Sequence, residues 1–188
     1  MNALLISTLV VALGEIGDKT QLLALLLAAR FRRPVPIILG ILVATIANHS
    51  IAGIVGEWVR TALPPDTLRW ALGASFIAIG LWALKADKME GEPSAMGRYG
   101  IFLVTLATFF LAEIGDKTQL ATVALAARYD NLVAVVAGTT LGMLIADVPA
   151  VFLGDKAAPK IPFKLIRSIA AALFIALGVG ALVTTQLG

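Results

Sequence analysis

The octet Glu15-Ile16-Gly17-Asp18-Lys19-Thr20-Gln21-Leu22 occurs twice in this chain, each time within a long apolar run. The second copy, Glu113-Ile114-Gly115-Asp116-Lys117-Thr118-Gln119-Leu120, is identical at every position and begins 98 residues after the first. Each copy places two carboxylates and one ammonium in apolar surroundings, where an unpaired charge is costly. The four carboxylates are therefore the main indication of what the chain does.

The composition is that of an integral membrane protein. Of the 188 residues, 59% are hydrophobic and 14% are charged, and the mean hydropathy is +0.92. A soluble domain of this length needs a larger charged surface. The chain has no cysteine, which excludes disulfides and thiolate metal ligands. Basic residues are scattered through short loops, so we expect the lipid bilayer and no nucleic acid as a partner.

Six runs are long enough to cross a bilayer, which requires about 20 mostly apolar residues per helix. The first run lacks the basic start of a cleavable signal peptide and continues too far, so we interpret it as a retained helix. Prolines and charged clusters separate the runs. We predict an all-α integral membrane protein with six transmembrane helices, at residues 2–29, 34–55, 68–84, 99–127, 132–153 and 163–187.

The two halves of the chain match beyond the octet, since Gly40 corresponds to Gly138 at the same offset. Each half has three spans, an odd number, so the second half enters the membrane from the opposite side. Such inverted repeats are common in secondary transporters and are related by a pseudo-two-fold axis in the membrane plane. We predict two inverted three-helix repeats, residues 1–85 and 99–188, joined by a linker at residues 86–98.

The basic residues of the loops predict the orientation. Ten lysines and arginines follow the first, third and fifth spans, whereas three arginines follow the second and fourth. By the positive-inside rule, the more basic loops face the cytoplasm. We therefore expect a multi-pass protein of the cell (inner) membrane, with both termini outside and the central linker cytoplasmic.

The octet predicts one polar stripe on each motif helix. Positions i, i+3 and i+6 lie within about 120° of one another on a helix. Charged side chains at mid-membrane face the bundle interior and mark transport pathways. The pseudo-two-fold axis brings both stripes together near the midplane, where they form a cage of four carboxylates and two amides. The predicted metal ligands are Glu15, Asp18, Gln21, Glu113, Asp116 and Gln119.

These hard oxygen donors suit Ca²⁺ and Mn²⁺, whereas Mg²⁺ dehydrates reluctantly and Zn²⁺ or Cu²⁺ would recruit nitrogen or sulfur. Four carboxylates and two lysines carry a net charge of −2. One divalent cation or two protons would neutralise that charge equally well. The octets therefore predict a secondary antiporter that exchanges a divalent cation for protons and holds no permanent cofactor.

The lysine of each octet has two interpretations. We expect Lys19 and Lys117 to balance the charge of Glu15 and Glu113, one helical turn away. The alternative is that these lysines move during the transport cycle.

The glycine and threonine of each octet are also open to two interpretations. We expect Gly17 and Gly115 to allow close helix packing, the alternative being that they unwind the helix so that carbonyls reach the ion. Thr20 and Thr118 either bond to the backbone of their own helix or line the site.

Two polar residues outside the octets extend the candidate site. At the repeat offset, His49 of the second span corresponds to Asp147 of the fifth. A lone intramembrane carboxylate is expected to have a function, so Asp147 is predicted as an extra ligand or a step in a proton relay, the alternative being a structural hydrogen-bond role. For His49, a packing role and a relay role remain open.

Three other functions compete with antiport. Buried polar residues sometimes only hold helices together, but an asparagine or serine does this at lower cost than four carboxylates. A membrane-embedded enzyme with paired carboxylates as acid and base would want arginines beside them, and the octets have none. A passive cation channel would not couple flux to protons. The sequence also leaves monomer and homodimer open.

The duplicated signature Glu-x-Gly-Asp-(Lys/Arg)-(Thr/Ser) in a six-span chain closely resembles a family of cation/proton exchangers. That family includes Golgi and chloroplast members in eukaryotes and manganese exporters in bacteria. The resemblance covers nearly the whole chain and both copies of the motif. It implies that Mn²⁺ and Ca²⁺ are moved out of the cytoplasm against protons. It also implies that the ion ligands are Glu15, Asp18, Glu113 and Asp116.

Overall fold

The computed structural model of the protein describes residues 2–85, 100–153 and 163–183, and this part of the chain is all helical. The all-α prediction is confirmed. The predicted linker lies outside the described residues, as do several basic residues used for the orientation. The eight helices of the described part are α1 (Ala3–Glu15), α2 (Lys19–Phe31), α3 (Pro34–Ala62), α4 (Pro65–Ala83), α5 (Ile101–Glu113), α6 (Lys117–Arg128), α7 (Leu132–Leu153) and α8 (Phe163–Val183).

The first and fourth predicted spans are each broken into two helices. α1 and α2 are separated by residues 16–18, and α5 and α6 by residues 114–116. At the breaks, Gly17 has a φ of 83° and Gly115 a φ of 75°, values that glycine adopts without a steric penalty and that a right-handed helix does not contain. The continuous polar stripe and the close-packing role of these glycines were therefore wrong predictions. The glycines unwind the helix.

The longest helices are those that follow the broken ones. α3, with 29 residues, and α7, with 22, are long and apolar enough to cross a membrane. Pro34 begins α3 at a position where the missing N–H is not needed. Three apolar segments of the described chain are shorter: α1, α5 and residues 167–183 of α8. A broken span divides its apolar length between two short helices.

Each broken helix packs along the long helix of the opposite half. α1 lies along α7 and α5 lies along α3. A Cβ atom added to Gly40 of α3 would lie 2.7 Å from the Cβ of Thr105 in α5. The corresponding atom on Gly138 of α7 would lie 2.9 Å from the Cβ of Ser7 in α1. The two contacts are equivalent at the offset of 98 residues, so the halves use the same glycine to bring helices together.

α4 and α8 pack against each other and cover one side of this arrangement. α4 also contacts α6, and α8 also contacts α1. Phe76 of α4 and Phe174 of α8 are fully buried there, with ring centroids 6.5 Å apart. A second apolar cluster contains residues of α2, α3, α5 and α7. The breaks in the two motif helices lie between these two apolar regions.

Candidate metal and proton site

Four helix ends meet where the two octets lie. α1 and α5 end at Glu15 and Glu113, and α2 and α6 begin one residue after Asp18 and Asp116. The C-terminal ends of α1 and α5 carry partial negative charge and favour a cation, whereas the N-terminal ends of α2 and α6 carry partial positive charge and favour the aspartate carboxylates before them. The octet thus supplies both the acidic side chains and the helix ends that surround them.

Three carboxylates of the two octets converge. Oxygens of Glu15, Glu113 and Asp116 lie within 4.8 Å of one another, and the exposed fraction of each residue is 1% or less. Both oxygens of Glu15 lack a hydrogen-bond partner in the described part of the chain. Buried carboxylates are normally paired or bound to a metal. Their spacing and hard oxygens fit one cation coordinated at about 2.3 Å, as Ca²⁺ is.

The lysines pair across the repeats and not within them. Nζ of Lys19 lies 2.9 Å from Oδ1 of Asp116, and Nζ of Lys117 lies 2.6 Å from Oδ1 of Asp18. The predicted partners, the glutamates of the same octet, were wrong. A break between glutamate and lysine removes the helical turn that would bring them together, so each ammonium reaches the aspartate of the other half.

The glutamines stabilise the breaks and join them to α3 and α7. The N–H of Gly17 donates to Oε1 of Gln21 at 2.9 Å, and the N–H of Gly115 donates to Oε1 of Gln119 at 2.7 Å. Nε2 of Gln21 donates to the carbonyl of Ala146, and Nε2 of Gln119 to Oδ1 of Asn48. Each amide oxygen keeps a second lone pair. The role of the glutamines as metal ligands stays a prediction.

The two threonines differ in their contacts. The hydroxyl of Thr118 lies 3.3 Å from Oε2 of Glu113 and 3.2 Å from Oδ2 of Asp116. Thr118 therefore lines the site. The hydroxyl of Thr20 is buried and has no hydrogen-bond partner among the described residues.

His49 and Asp147 lie in the middle of α3 and α7 and are fully buried. Nε2 of His49 is 3.8 Å from Oε2 of Glu113, so this histidine adjoins the carboxylate cluster. In the described part of the chain, neither oxygen of Asp147 has a hydrogen-bond partner. The residue before Asp147, Ala146, accepts the hydrogen bond from Gln21. α7 therefore places Asp147 beside the first octet.

Sequence reasoning did not assign Asn48 to the site. Its Nδ2 donates to the carbonyl of Phe110 at 3.0 Å, close to the end of α5, while its Oδ1 accepts from Gln119. The sequence signal that could have assigned Asn48 to the site was its position immediately before His49, on the same face of the helix. The contribution of the Ala146 carbonyl had no signal in the sequence, because a backbone atom belongs to every residue.

Comparisons with known proteins point to one family. The family described as "Divalent cation/proton antiporter GDT1" matches residues 3–91 and 101–187. The chain is 52% identical over 176 residues to a protein of Vibrio cholerae named "Putative manganese exporter", covering 93% of this chain and 88% of that protein. It is 32% identical over 195 residues to a GDT1-like protein of Synechocystis, covering 93% of each. No solved structure matches the chain.

Proposed function

Since this chain belongs to the GDT1 family of divalent cation/proton antiporters, we propose that it exports Mn²⁺ or Ca²⁺ from the cytoplasm in exchange for protons at the site formed by the two octets. Membership of this family makes the protein a transporter and not an enzyme. The observation that carries the proposed site is the convergence of three buried carboxylates, from Glu15, Glu113 and Asp116, within 4.8 Å.

Mn²⁺ is the proposed principal cargo, with Ca²⁺ as the second. The relative at 52% identity is named as a manganese exporter. Carboxylate and amide oxygens are the donors that both ions accept, and nitrogen and sulfur donors for softer metals are few, since the chain has one histidine and no cysteine. Asp18 completes the carboxylate set, and Gln21 and Gln119 are the proposed amide ligands.

The charge of the site explains exchange for protons. Four carboxylates and two lysines sum to −2, and one divalent cation or two protons cancel this charge. A buried net charge is costly, so the site is most stable in either neutral form. Proton binding and metal binding then exclude each other, which is the requirement for antiport. We propose that Asp147 is a further residue that binds a proton or the metal, and that His49 relays protons beside Glu113.

The proposed architecture has six spans in two inverted repeats, at residues 1–85 and 99–188, with the linker between them. The breaks, the cross-repeat ion pairs and the Gly40 and Gly138 contacts all recur at the offset of 98 residues. This recurrence supports a pseudo-two-fold axis through the site. By the positive-inside rule the linker is cytoplasmic and both termini are outside the inner membrane. The site is exposed alternately to the two sides.

The test is exchange by purified protein in liposomes that contain a pH-sensitive dye. External Mn²⁺ that enters in exchange for protons should make the vesicle interior more alkaline, and Ca²⁺ should do so more weakly. Glu15→Gln and Glu113→Gln should each slow the change at least about 100-fold, because a lost charged ligand costs about 3 kcal/mol. Glu57→Gln is the control, since Glu57 is half exposed at a helix end away from the site.

Several outcomes would contradict the proposal. Mn²⁺ flux without any proton movement would indicate a channel. Absence of both from wild-type protein would reject transport at this site. If Glu57→Gln lost as much exchange, the losses in Glu15→Gln and Glu113→Gln would not be specific to the buried carboxylates.

A further inference from the structure

The two lysine–aspartate pairs have the same chemistry but differ in exposure. The side chain of Lys19 is 28% exposed, and that of Lys117 is 3% exposed. Both aspartates are buried. The side chain of Lys19 therefore has space in which its ammonium can move away from Asp116, whereas Lys117 is enclosed with Asp18.

α4 and α8 pack beside the helix that begins at Lys117 and not beside the helix that begins at Lys19. Both helices lie on the side of α1 and α6, where Phe174 is buried. A Cβ atom on Gly14 of α1 would lie 3.5 Å from the ring of Phe174 and 3.7 Å from the methyl group of Thr118. Phe174 of α8 and Thr118, the residue after Lys117, therefore both lie close to Gly14. α2, which begins at Lys19, packs against α3, α5 and α7 instead.

Asp116 has two competing partners. Its carboxylate belongs to the cluster with Glu15 and Glu113 that suits a cation, and it also binds the ammonium of Lys19. Asp18 is outside that cluster and is held by Lys117. A lysine ammonium and a divalent cation are attracted to the same oxygens of Asp116. Because the two positive charges repel each other, they compete for these oxygens.

We propose that Lys19 and Lys117 are tethered counter-ions that alternate with the cargo. The arriving cation displaces Lys19 from Asp116 and binds Asp116 together with Glu15 and Glu113, while Lys117 stays on Asp18. When the site opens to the other side the roles reverse, so that Lys117 is displaced from Asp18 and Lys19 returns to Asp116. The two glutamates are ligands throughout, and the two aspartates take turns. This inference rests on the proposed function.

The return of a lysine also helps the cargo to leave. A cation bound by buried carboxylates dissociates slowly unless another positive charge replaces it. The tethered ammonium is always present at the site, so it lowers the equilibrium affinity for the metal and raises the rate of release. A lysine that only stabilised the fold would not affect affinity and rate in opposite directions.

The experiment measures equilibrium binding of Mn²⁺ to the purified full-length protein and Mn²⁺-driven proton movement in liposomes. In Lys19→Gln, binding should become about tenfold tighter, equivalent to about 1.4 kcal/mol of lost competition, while exchange becomes slower. Lys19→Arg keeps the charge and pairs more firmly with a carboxylate, so its binding should become weaker. Lys85→Gln, at an exposed position after α4, is the control and should change neither quantity.

A second comparison identifies the partner of Lys19. In an Asp116→Asn background the lysine loses the carboxylate with which it forms its ion pair, so adding Lys19→Gln should have a much smaller effect on Mn²⁺ binding than in wild-type protein. Equal tightening with and without Asp116 would overturn the proposal, as would unchanged or weaker binding in Lys19→Gln. If that variant does not fold, tighter or unchanged binding in Lys19→Arg overturns it. Failure of wild-type protein to exchange Mn²⁺ for protons would instead reject the proposed function.

Discussion

The two octets are identical in sequence, but the structure gives them different surroundings. Lys117 is buried at the start of α6, whereas Lys19 is partly exposed at the start of α2. If the two halves were packed symmetrically, α4 and α8 would contact α2 and α5 as extensively as they contact α1 and α6. Identical residues in unequal positions fit the proposed transport cycle, because exchanging the two positions would turn a site open to one side into a site open to the other.

The helices that follow the octets differ in a second way. At matching positions, α3 has Asn48 and His49 where α7 has Ala146 and Asp147. Both pairs receive the equivalent glutamine, through the Asn48 side chain in one case and the Ala146 carbonyl in the other. Under the proposed alternation the packing difference reverses during transport, whereas this sequence difference is permanent. The packing difference affects access to the site, and the sequence difference between α3 and α7 affects the chemistry of the site.

The largest expected effect on exchange comes from a cross-link between α1 and α8, which would prevent the packing difference from changing. Gly14→Cys combined with Phe174→Cys places thiols on α1 and α8, which are in contact. The chain has no native cysteine to interfere. A short bis-methanethiosulfonate reagent should link the pair and abolish Mn²⁺-driven proton movement, and reduction should restore it.

The equivalent pair at the repeat offset provides the stricter test. Ala112→Cys combined with Phe76→Cys joins α5 to α4, which make no comparable contact in the described part of the chain. This pair should become linked only when the site opens to the opposite side, so Mn²⁺ and pH should alter its linking rate. If both cysteine pairs were linked at the same rate in a single molecule, the two halves would not exchange positions as proposed.

An intermediate effect is expected at the breaks. Gly115 is exposed and an added Cβ atom would meet nothing within 4 Å, yet its φ is 75°. Gly115→Ala therefore tests only the backbone conformation, and it should cost about 1–2 kcal/mol. We expect a lower thermal unfolding midpoint and exchange slowed by about tenfold.

Gly100→Ala is the matched control for the break. Gly100 is also exposed, and an added Cβ atom would again meet nothing within 4 Å, but its φ is −59°. This substitution should change neither the unfolding midpoint nor exchange. Similar effects of the two substitutions would show that the positive φ of Gly115 is not required.

The smallest effect should come from reducing the permanent difference between the repeats. Asn48→Ala gives α3 the residue that α7 has at the matching position. It removes the hydrogen bonds to Phe110 and from Gln119, which contribute about 1 kcal/mol each. Because Gln21 bonds to a carbonyl at the equivalent position, Gln119 has a similar acceptor available. We expect exchange to fall by about fivefold or less, measured in the liposome assay.

Asn131→Ala is the control for this prediction. Oδ1 of Asn131 accepts from the N–H of Ala134 at the start of α7, away from the site. The substitution should lower stability by about 1 kcal/mol, as for other lost caps, without slowing exchange. A complete loss of exchange in Asn48→Ala would mean that Asn48 itself binds the cargo.

Much of the fold was predictable because hydropathy and duplication are visible in the sequence. The all-α class is confirmed, and the helices lie within or close to the predicted runs. The breaks were not predicted, because a glycine in an apolar run has the same sequence signal whether it packs closely or adopts a positive φ. The φ values of Gly17 and Gly115 decided between the two.

The members of the site were more predictable than their partners. All four carboxylates are buried, and oxygens of three of them lie within 4.8 Å of one another, whereas the prediction had all four in one cage. The lysine partners were wrong because the prediction assumed that one helix runs through the octet. Once the helix is broken, helical spacing no longer predicts which side chains meet. The partner of Lys19 is Asp116, 97 positions away along the chain.

By itself, the sequence determined that charge is placed at two equivalent positions in a membrane protein, and that these charges suit a divalent cation or protons. Only the tertiary structure decided which charges meet and which of the two positions is open. Two identical octets have identical local preferences, so no local preference can distinguish them. The exposure of Lys19 and the burial of Lys117 therefore come from the tertiary packing around two identical octets.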